Sequence, residues 1–367
     1  MNRLFFELLR IAIGPQSELP LIPSVNQWHD LYEVACKQTL LGVLFPAIEK
    51  LPEKQRPPKD ILLKWFVAKE NIVRSNRLLN IRAAETIKYF HNEGFQCCIL
   101  KGQGIATLYP NPLLRMPGDI DLWLDGDREV IYKFAKQRFG FHGLTFRHIH
   151  YPLYKDVEVE VHVIPINLLS PIRNYFLKQY FRSFANIQYD NIVELPENVG
   201  QIRVPTVEFN LLYILLHIYE HFLGEGVGLR QVLDYYYVLH QSTDEDVKYR
   251  IVYMLKKLKM LRFASAMMWV QKKVFGLEDK YLLLEPDEIE GRFLLSEVMQ
   301  AGNFGKYDIR IDYKKEKNNL IRFYKSILHN RRLLLRYPHE MIWDIPFRVW
   351  HFFWRKWIMV KGTLQCG

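Results

Sequence analysis

From Leu4 to about Asn92, apolar positions such as Leu62, Phe66, Ile72 and Leu79 recur three or four residues apart between polar ones, the period that gives a helix one buried stripe. The dipeptide Pro57-Pro58 breaks that helical run. After Gly94, a residue type that commonly ends a helix, Phe95-Gln-Cys-Cys-Ile-Leu100 is short and mostly apolar and reads as a first buried strand. Lys101-Gly102-Gln103-Gly104 predicts a tight loop, and Ile105 to Tyr109 a single helical turn that Pro110 and Pro112 end.

The clearest alternation follows Gly118. In Asp119-Ile-Asp-Leu-Trp-Leu124 the two acids share one face of a strand, and Ile120, Leu122 and Leu124 share the other. Asp127 can cap a helix running to about Phe139. Thr145 to Tyr154 and Val157 to Ile164 predict an antiparallel pair turning at Lys155-Asp156. The result is a small sheet of about four strands with helices on one side. After Pro171 the pattern is helical again, apart from a β-like stretch between Asn186 and Val204. Thr206 can cap a helix containing Leu211 to Phe222, and further helices run through Leu239, Thr243 to Leu258, Leu261 to Phe275 and Glu290 to Gln300. The fold class is therefore α+β. Its blocks are an N-terminal helical region over 1–92, a sheet-bearing core over 93–165, a helical region over 166–337 and a tail over 338–367. No internal repeat or low-complexity linker interrupts them.

Two acids one residue apart on a strand project to the same side, about 6.5–7 Å apart along the backbone. Their carboxylates can converge on one divalent ion or a close pair, and magnesium prefers such hard oxygen ligands. Solvated strand faces often carry two acids with no catalytic role, so the neighbouring residues carry the argument. Gly102 and Gly104 let the backbone approach a phosphate and aim N–H groups at it, and Lys101 and Arg115 can supply cations. Val157-Glu-Val-Glu-Val-His-Val163 puts Glu158, Glu160 and His162 on one face and valines on the other. With the valines in the core, that surface offers a third carboxylate.

The run Leu100-Lys-Gly, Tyr109-Pro, Arg115, Gly118-Asp-Ile-Asp-Leu and Val159-Glu-Val-His162 resembles an uncharacterised bacterial family within the DNA polymerase beta-like nucleotidyltransferase superfamily. His217-Ile-Tyr-Glu-His221 and Gly228-Leu-Arg-Gln-Val-Leu-Asp234 look like the helical signature that accompanies it, and the resemblance spans roughly residues 30 to 260. It implies a minimal nucleotidyltransferase-type mixed sheet. Gly102 then stands for the turn glycine, Asp119 and Asp121 for the paired ligands of magnesium or manganese, and Glu160 for the third acid, which also helps deprotonate the acceptor. Lys101, Gly102, Gly104 and Arg115 would bind the nucleoside triphosphate, and His162, His221, Arg230 and Asp234 are candidates for the edge of the cleft. The reaction implied moves a nucleoside monophosphate onto a hydroxyl or phosphate of a small molecule, protein or RNA. One departure is that the usual Gly-Ser or Gly-Gly turn here reads Gly102-Gln103, without the hydroxyl that touches phosphates. The alternative is a catalytically inactive relative that binds nucleotide or a partner as a regulatory module.

Composition narrows the partners. Fifty Lys and Arg against 40 Asp and Glu give a formal charge of +10, which favours polyanions without choosing among nucleotide, RNA and acidic lipid. The cysteines Cys36, Cys97, Cys98 and Cys366 show no paired metal spacing, which fits a reduced cytoplasmic chain. MNRLFFELLRIAIGP, interrupted by Glu7 and Arg10, reads as an amphipathic helix rather than a signal peptide, and no segment has the length of a membrane span. His217 and His221, one helical turn apart, can bind zinc, pack between helices or line the substrate site. Arg230 and Asp234 can form a surface ion pair. His148 and His150 read as half-buried strand residues, and only His162 as a neighbour of the site. From Asp344 to Lys361 the tail holds Trp350, Trp354 and Trp357, next to Trp343, with Arg348, Arg355 and Lys356 interleaved. This composition suits a helix docked on the core with a basic outer side, or peripheral contact with an anionic membrane or single-stranded nucleic acid. The basic run Asn330 to Arg336 reads as a solvated helix face.

Overall fold

The structure is a computed structural model that describes residues 2–14, 16–139, 148–308, 310 and 319–360. The N-terminal helices are α1 (Asn2–Ile13), α2 (Val25–Lys37), α3 (Leu41–Lys50) and the long α4 (Lys59–Asn92). Ser24 and Gln27 form a reciprocal cap that starts α2, and α4 begins directly after Pro57-Pro58, as the sequence requires. Next come β1 (Cys97–Ile99), α5 (Gly102–Ala106), β2 (Ile120–Leu124), α6 (Arg128–Phe139), β3 (His148–Tyr151) and β4 (Val159–His162). The predicted strand starting at Thr145 begins outside the described residues, as do Lys361 and Cys366.

The helix α7 (Pro171–Asp190) is capped by Ser170 and has proline in its first turn. It overruns the start of the β-like stretch expected from Asn186. Only β5 (Ile192–Glu194) and β6 (Gln201–Arg203) are extended there, paired as a hairpin. Helices then follow as α8 (Val207–Gly224), α9 (Leu229–His240), α10 (Glu245–Lys257), α11 (Leu261–Val270), α12 (Glu288–Ala301), α13 (Asn319–Arg336), α14 (Pro338–Met341) and α15 (Asp344–Val360). Thr206 Oγ1 accepts from the Phe209 amide at the start of α8, and Asp244 caps α10. No helix among the described residues is long and apolar enough to cross a membrane.

The chain divides into two compact units, each assembled from separate stretches: 1–78, 105–117 and 214–311 in one, and 79–104, 118–213 and 312–367 in the other. The first is helical. Phe5, Leu8, Trp28 and Trp65 are fully buried there, and the rings of Tyr219 and Phe263 pack 4.8 Å apart. Gln38, 1% exposed, ties α2 to two later elements, donating to Val298 O and accepting from the Leu229 amide.

The second unit holds a four-stranded mixed sheet in the order β1-β2-β4-β3, with β2 and β4 parallel and the outer pairs antiparallel. One face carries Ile99, Ile120, Leu122, Leu124, Ile149, Val159 and Val161. They are buried with Leu79, Ile87 and Phe90 of α4, Ile131 of α6, and Ile202 of β6. Helices do not lie on that side alone. On the opposite face Trp123 packs against Phe181 and Tyr189 of α7 and stacks on Phe209 of α8, an apolar cover beside the acids. Trp354 of α15 packs against the first face. On the outer side of α15 Val349, Phe352, Phe353 and Trp357 are exposed together with Lys356, and Arg348 turns back to Asp344 and Ser326.

Candidate active site

Strand pairing assembles the acids. Beyond Ile99 the Leu100 amide donates to the Asp121 carbonyl at 2.9 Å, so the next residue, Lys101, lies beside the Asp121 side chain. Its Nζ is 3.0 Å from Asp121 Oδ2. The parallel register of β2 and β4 sets Asp121 opposite Glu160. Two residues on, on the same face, His162 places Nε2 2.8 Å from Asp121 Oδ1. Asp121, only 4% exposed, thus has both oxygens engaged. Asp121, Glu160 and His162 offer ligand atoms that all lie within 4.8 Å of one another. Asp119, immediately before the strand, remains exposed.

The charges respond to this crowding. The neighbouring carboxylate of Asp121, with desolvation second, raises the Asp119 carboxyl to about 6; since Asp119 is open to water, the charge of Asp121 is the cause that matters. Burial opposes ionisation of Asp121, but Lys101 and His162 outweigh it and hold this carboxyl well below the usual range. Burial also works against Glu160, whose pKa is nevertheless lowered by its hydrogen bond to His162 and by His148. For His162, desolvation is overcome by the two acids, and its pKa is raised.

Hard carboxylate oxygens on adjacent strands suit a divalent ion such as magnesium or manganese. Asp121 and Glu160 meet that requirement, with Asp119 at the open edge. His162 fits less well as a ligand. A metal-bound imidazole donates its second N–H to a partner, and Nδ1 of His162 is buried without one. Its geometry suits donation from Nε2 to Asp121.

The glycines act differently from one another. Gly102 has φ +50° and begins α5, so the expected loop is already helical, and the positive φ is the reason for glycine. A Cβ at Gly104 would meet Val204 Cγ1 at 2.8 Å, so this glycine permits packing against the end of the β5–β6 hairpin. Gln103 is buried and hydrogen-bonds Asn80 through its side chain.

The remaining predicted residues lie in the helical unit. Arg115, 4% exposed, grips Asp234 with Nε at 2.7 Å and an Nη at 2.8 Å, and Tyr109 donates to the same carboxylate at 2.7 Å. Arg230 and Asp234 are both buried, so they are not a surface ion pair, and Arg230 reaches Met116 O. The rings of His217 and His221 meet edge-on at 4.4 Å, and His221 also contacts Phe304 at 5.0 Å. Sequence reasoning set aside His148 and His150, yet both face Glu160. Their shared parity with His162 was the available signal.

Residues 24–276 match the protein family described as Uncharacterised nucleotidyltransferase. The chain belongs to that family. Its match spans every candidate from Lys101 to Asp234 and leaves out α12 to α15. No curated protein matches the chain. Among solved structures it is similar to an antigenic nucleotidyltransferase-like protein from Paracoccidioides brasiliensis, at 15% identity and a TM-score of 0.30, covering 54% of this chain and 97% of that one.

Proposed function

We propose that this member of the uncharacterised nucleotidyltransferase family transfers a nucleoside monophosphate from a nucleoside triphosphate to a hydroxyl or phosphate of a small-molecule, protein or RNA acceptor in the cytoplasm, within the DNA polymerase beta-like superfamily. The supporting observation is the parallel register that sets Glu160 beside Asp121 with Lys101 3.0 Å from the same carboxylate. Asp119, Asp121 and Glu160 would hold magnesium or manganese, which supplies Lewis-acid polarisation and charge neutralisation at the triphosphate. Lys101 would balance charge on the departing pyrophosphate, and Gly102 would present backbone to it. His162 orients Asp121. Glu160, its pKa lowered, stays a carboxylate able to receive the acceptor proton. Arg115, gripping Asp234, supports the fold of its own unit.

A second reading, a nucleotide-binding module without turnover, has its own observation. The Gly102-Gln103 turn lacks a phosphate-facing hydroxyl, and Gln103 is turned inward to Asn80. Calorimetric titration of each ribonucleoside triphosphate with and without magnesium, paired with transfer of α-phosphate label into a cell extract, separates the two. Metal-dependent binding with label transfer supports the transferase, binding without transfer supports the module, and no binding contradicts both.

A further inference from the structure

The face that carries Asp121 continues past Glu160 onto the edge strand. The antiparallel register of β3 and β4 sets His148 opposite His162 and His150 opposite Glu160, while Ile149 and Tyr151 turn into the core. His148 Nε2 lies 3.5 Å and His150 Nδ1 3.6 Å from the same oxygen, Oε1 of Glu160. The other oxygen, Oε2, faces His162 at 3.7 Å. Glu160 therefore presents one oxygen to each of two neighbouring groups. His148, His150 and Glu160 form a ligand set of their own, with all three ligand atoms within 4.8 Å.

We propose that His148, His150 and Glu160 form a binding site for a divalent transition ion of the zinc type, one that adjoins the proposed magnesium site and shares Glu160 with it. Metal–nitrogen and metal–oxygen bonds of about 2.0–2.1 Å around a tetrahedral zinc put neighbouring ligand atoms about 3.4 Å apart. The two histidine–glutamate separations stand close to that edge length before any ion is added. Two imidazoles with one carboxylate favour zinc and its first-row neighbours over magnesium, which selects oxygen. The side chains are 22%, 41% and 16% exposed, enough for an ion to enter and for water to complete its shell. Exposed Glu158, whose Oε1 is 2.9 Å from His150 Nδ1, stands within reach as a further oxygen donor. All four side chains project from β3, from β4 or from the residue leading into it, so pairing fixes their spacing.

Zinc binding by the intact chelator-treated chain, measured by competition with a chromophoric chelator, tests this, with cobalt(II) as an absorbing substitute. One equivalent binds to the native chain, and His148→Ala or His150→Ala each weakens it at least ~10-fold, no less than loss of a supporting outer-shell residue costs. H148A/H150A abolishes it. D119A/D121A keeps zinc binding whatever becomes of nucleotidyl transfer, and H217A/H221A keeps it too. X-ray absorption of the zinc-loaded native chain shows two imidazole ligands, a readout that needs no variant to fold. Absence of binding to the native chain, undiminished binding by H148A/H150A, loss in D119A/D121A or H217A/H221A, or a spectrum without imidazole would overturn the proposal.

Discussion

Replacing Asp234 by alanine isolates one buried charge. Its carboxylate receives Nε and an Nη of Arg115 at 2.7 and 2.8 Å and the Tyr109 hydroxyl at 2.7 Å, and Arg115 and Asp234 are 4% and 6% exposed. Taking the acid away leaves a guanidinium and a phenol in the interior without it, and removing one partner of a buried pair costs about 3–5 kcal/mol. At about 2 °C per kcal/mol for a large chain, melting should fall by roughly 6–10 °C. The companion R115M/D234L removes both charges together and should lose much less, since an apolar pair of similar volume can replace a buried ion pair at little cost. Thermal melts of the three chains, with denaturant unfolding to give free energies, provide the assay. A loss below about 1 kcal/mol for D234A, the range of exposed pairs, would refute the claim that this pair is desolvated and structural.

Three further outcomes follow from local geometry. The Asp119 carboxyl sits at about 6 against an ordinary 3.8, so its protonated form favours folding. That contribution is complete below about pH 4 and is lost as pH rises through about 6. Without added metal, Asp119→Asn should therefore melt higher than the native chain near about pH 7.5 and equally near about pH 3.5, by about 1 kcal/mol once the exposure of the carboxyl is allowed for; excess magnesium should reverse the order, and a pH-independent difference would contradict the reasoning. Gly104→Ala drives a Cβ to 2.8 Å from Val204 Cγ1 and should cost about 1–3 kcal/mol, partly recovered in G104A/V204A; equal losses in single and double variants would rule out that contact as the cause. The exposed Phe353 and Trp357 of α15 should carry any peripheral contact with an anionic surface, so F353A/W357A should lower sedimentation with acidic vesicles, and unchanged sedimentation would remove that role.

Much of the acid-bearing sheet was legible because alternation is a local property. Asp121 against Ile120 and Leu122, and Glu160 against Val159 and Val161, sort onto opposite faces from the sequence alone, and the structure keeps that sorting. Register between strands is not local. The alignment that brings His148 and His150 onto Glu160 depends on residues far apart in the chain, so two histidines with the right parity read as ordinary strand positions. Burial misled for the same reason. Arg115 and Asp234 are polar, and nothing near either of them in sequence shows that they meet across 119 positions. The cover over Trp123 by α7 and α8 and the exposed rings of Phe352, Phe353 and Trp357 on α15 likewise depend on packing that a one-dimensional pattern does not carry. Gly104 shows the limit of motif reading, since its lack of a Cβ serves contact with Val204.

The most direct test of the transferase account is pyrophosphate release from each of the four ribonucleoside triphosphates with magnesium or manganese, in the presence of a cell extract as acceptor source, comparing the native chain with D119A/D121A and E160Q. The account predicts release with at least one nucleotide from the native chain and loss of at least ~100-fold in both variants, the scale of removing groups that act on the charge of the reacting phosphates. Release that persists undiminished in folded D119A/D121A, or none from the native chain with any nucleotide, would contradict it.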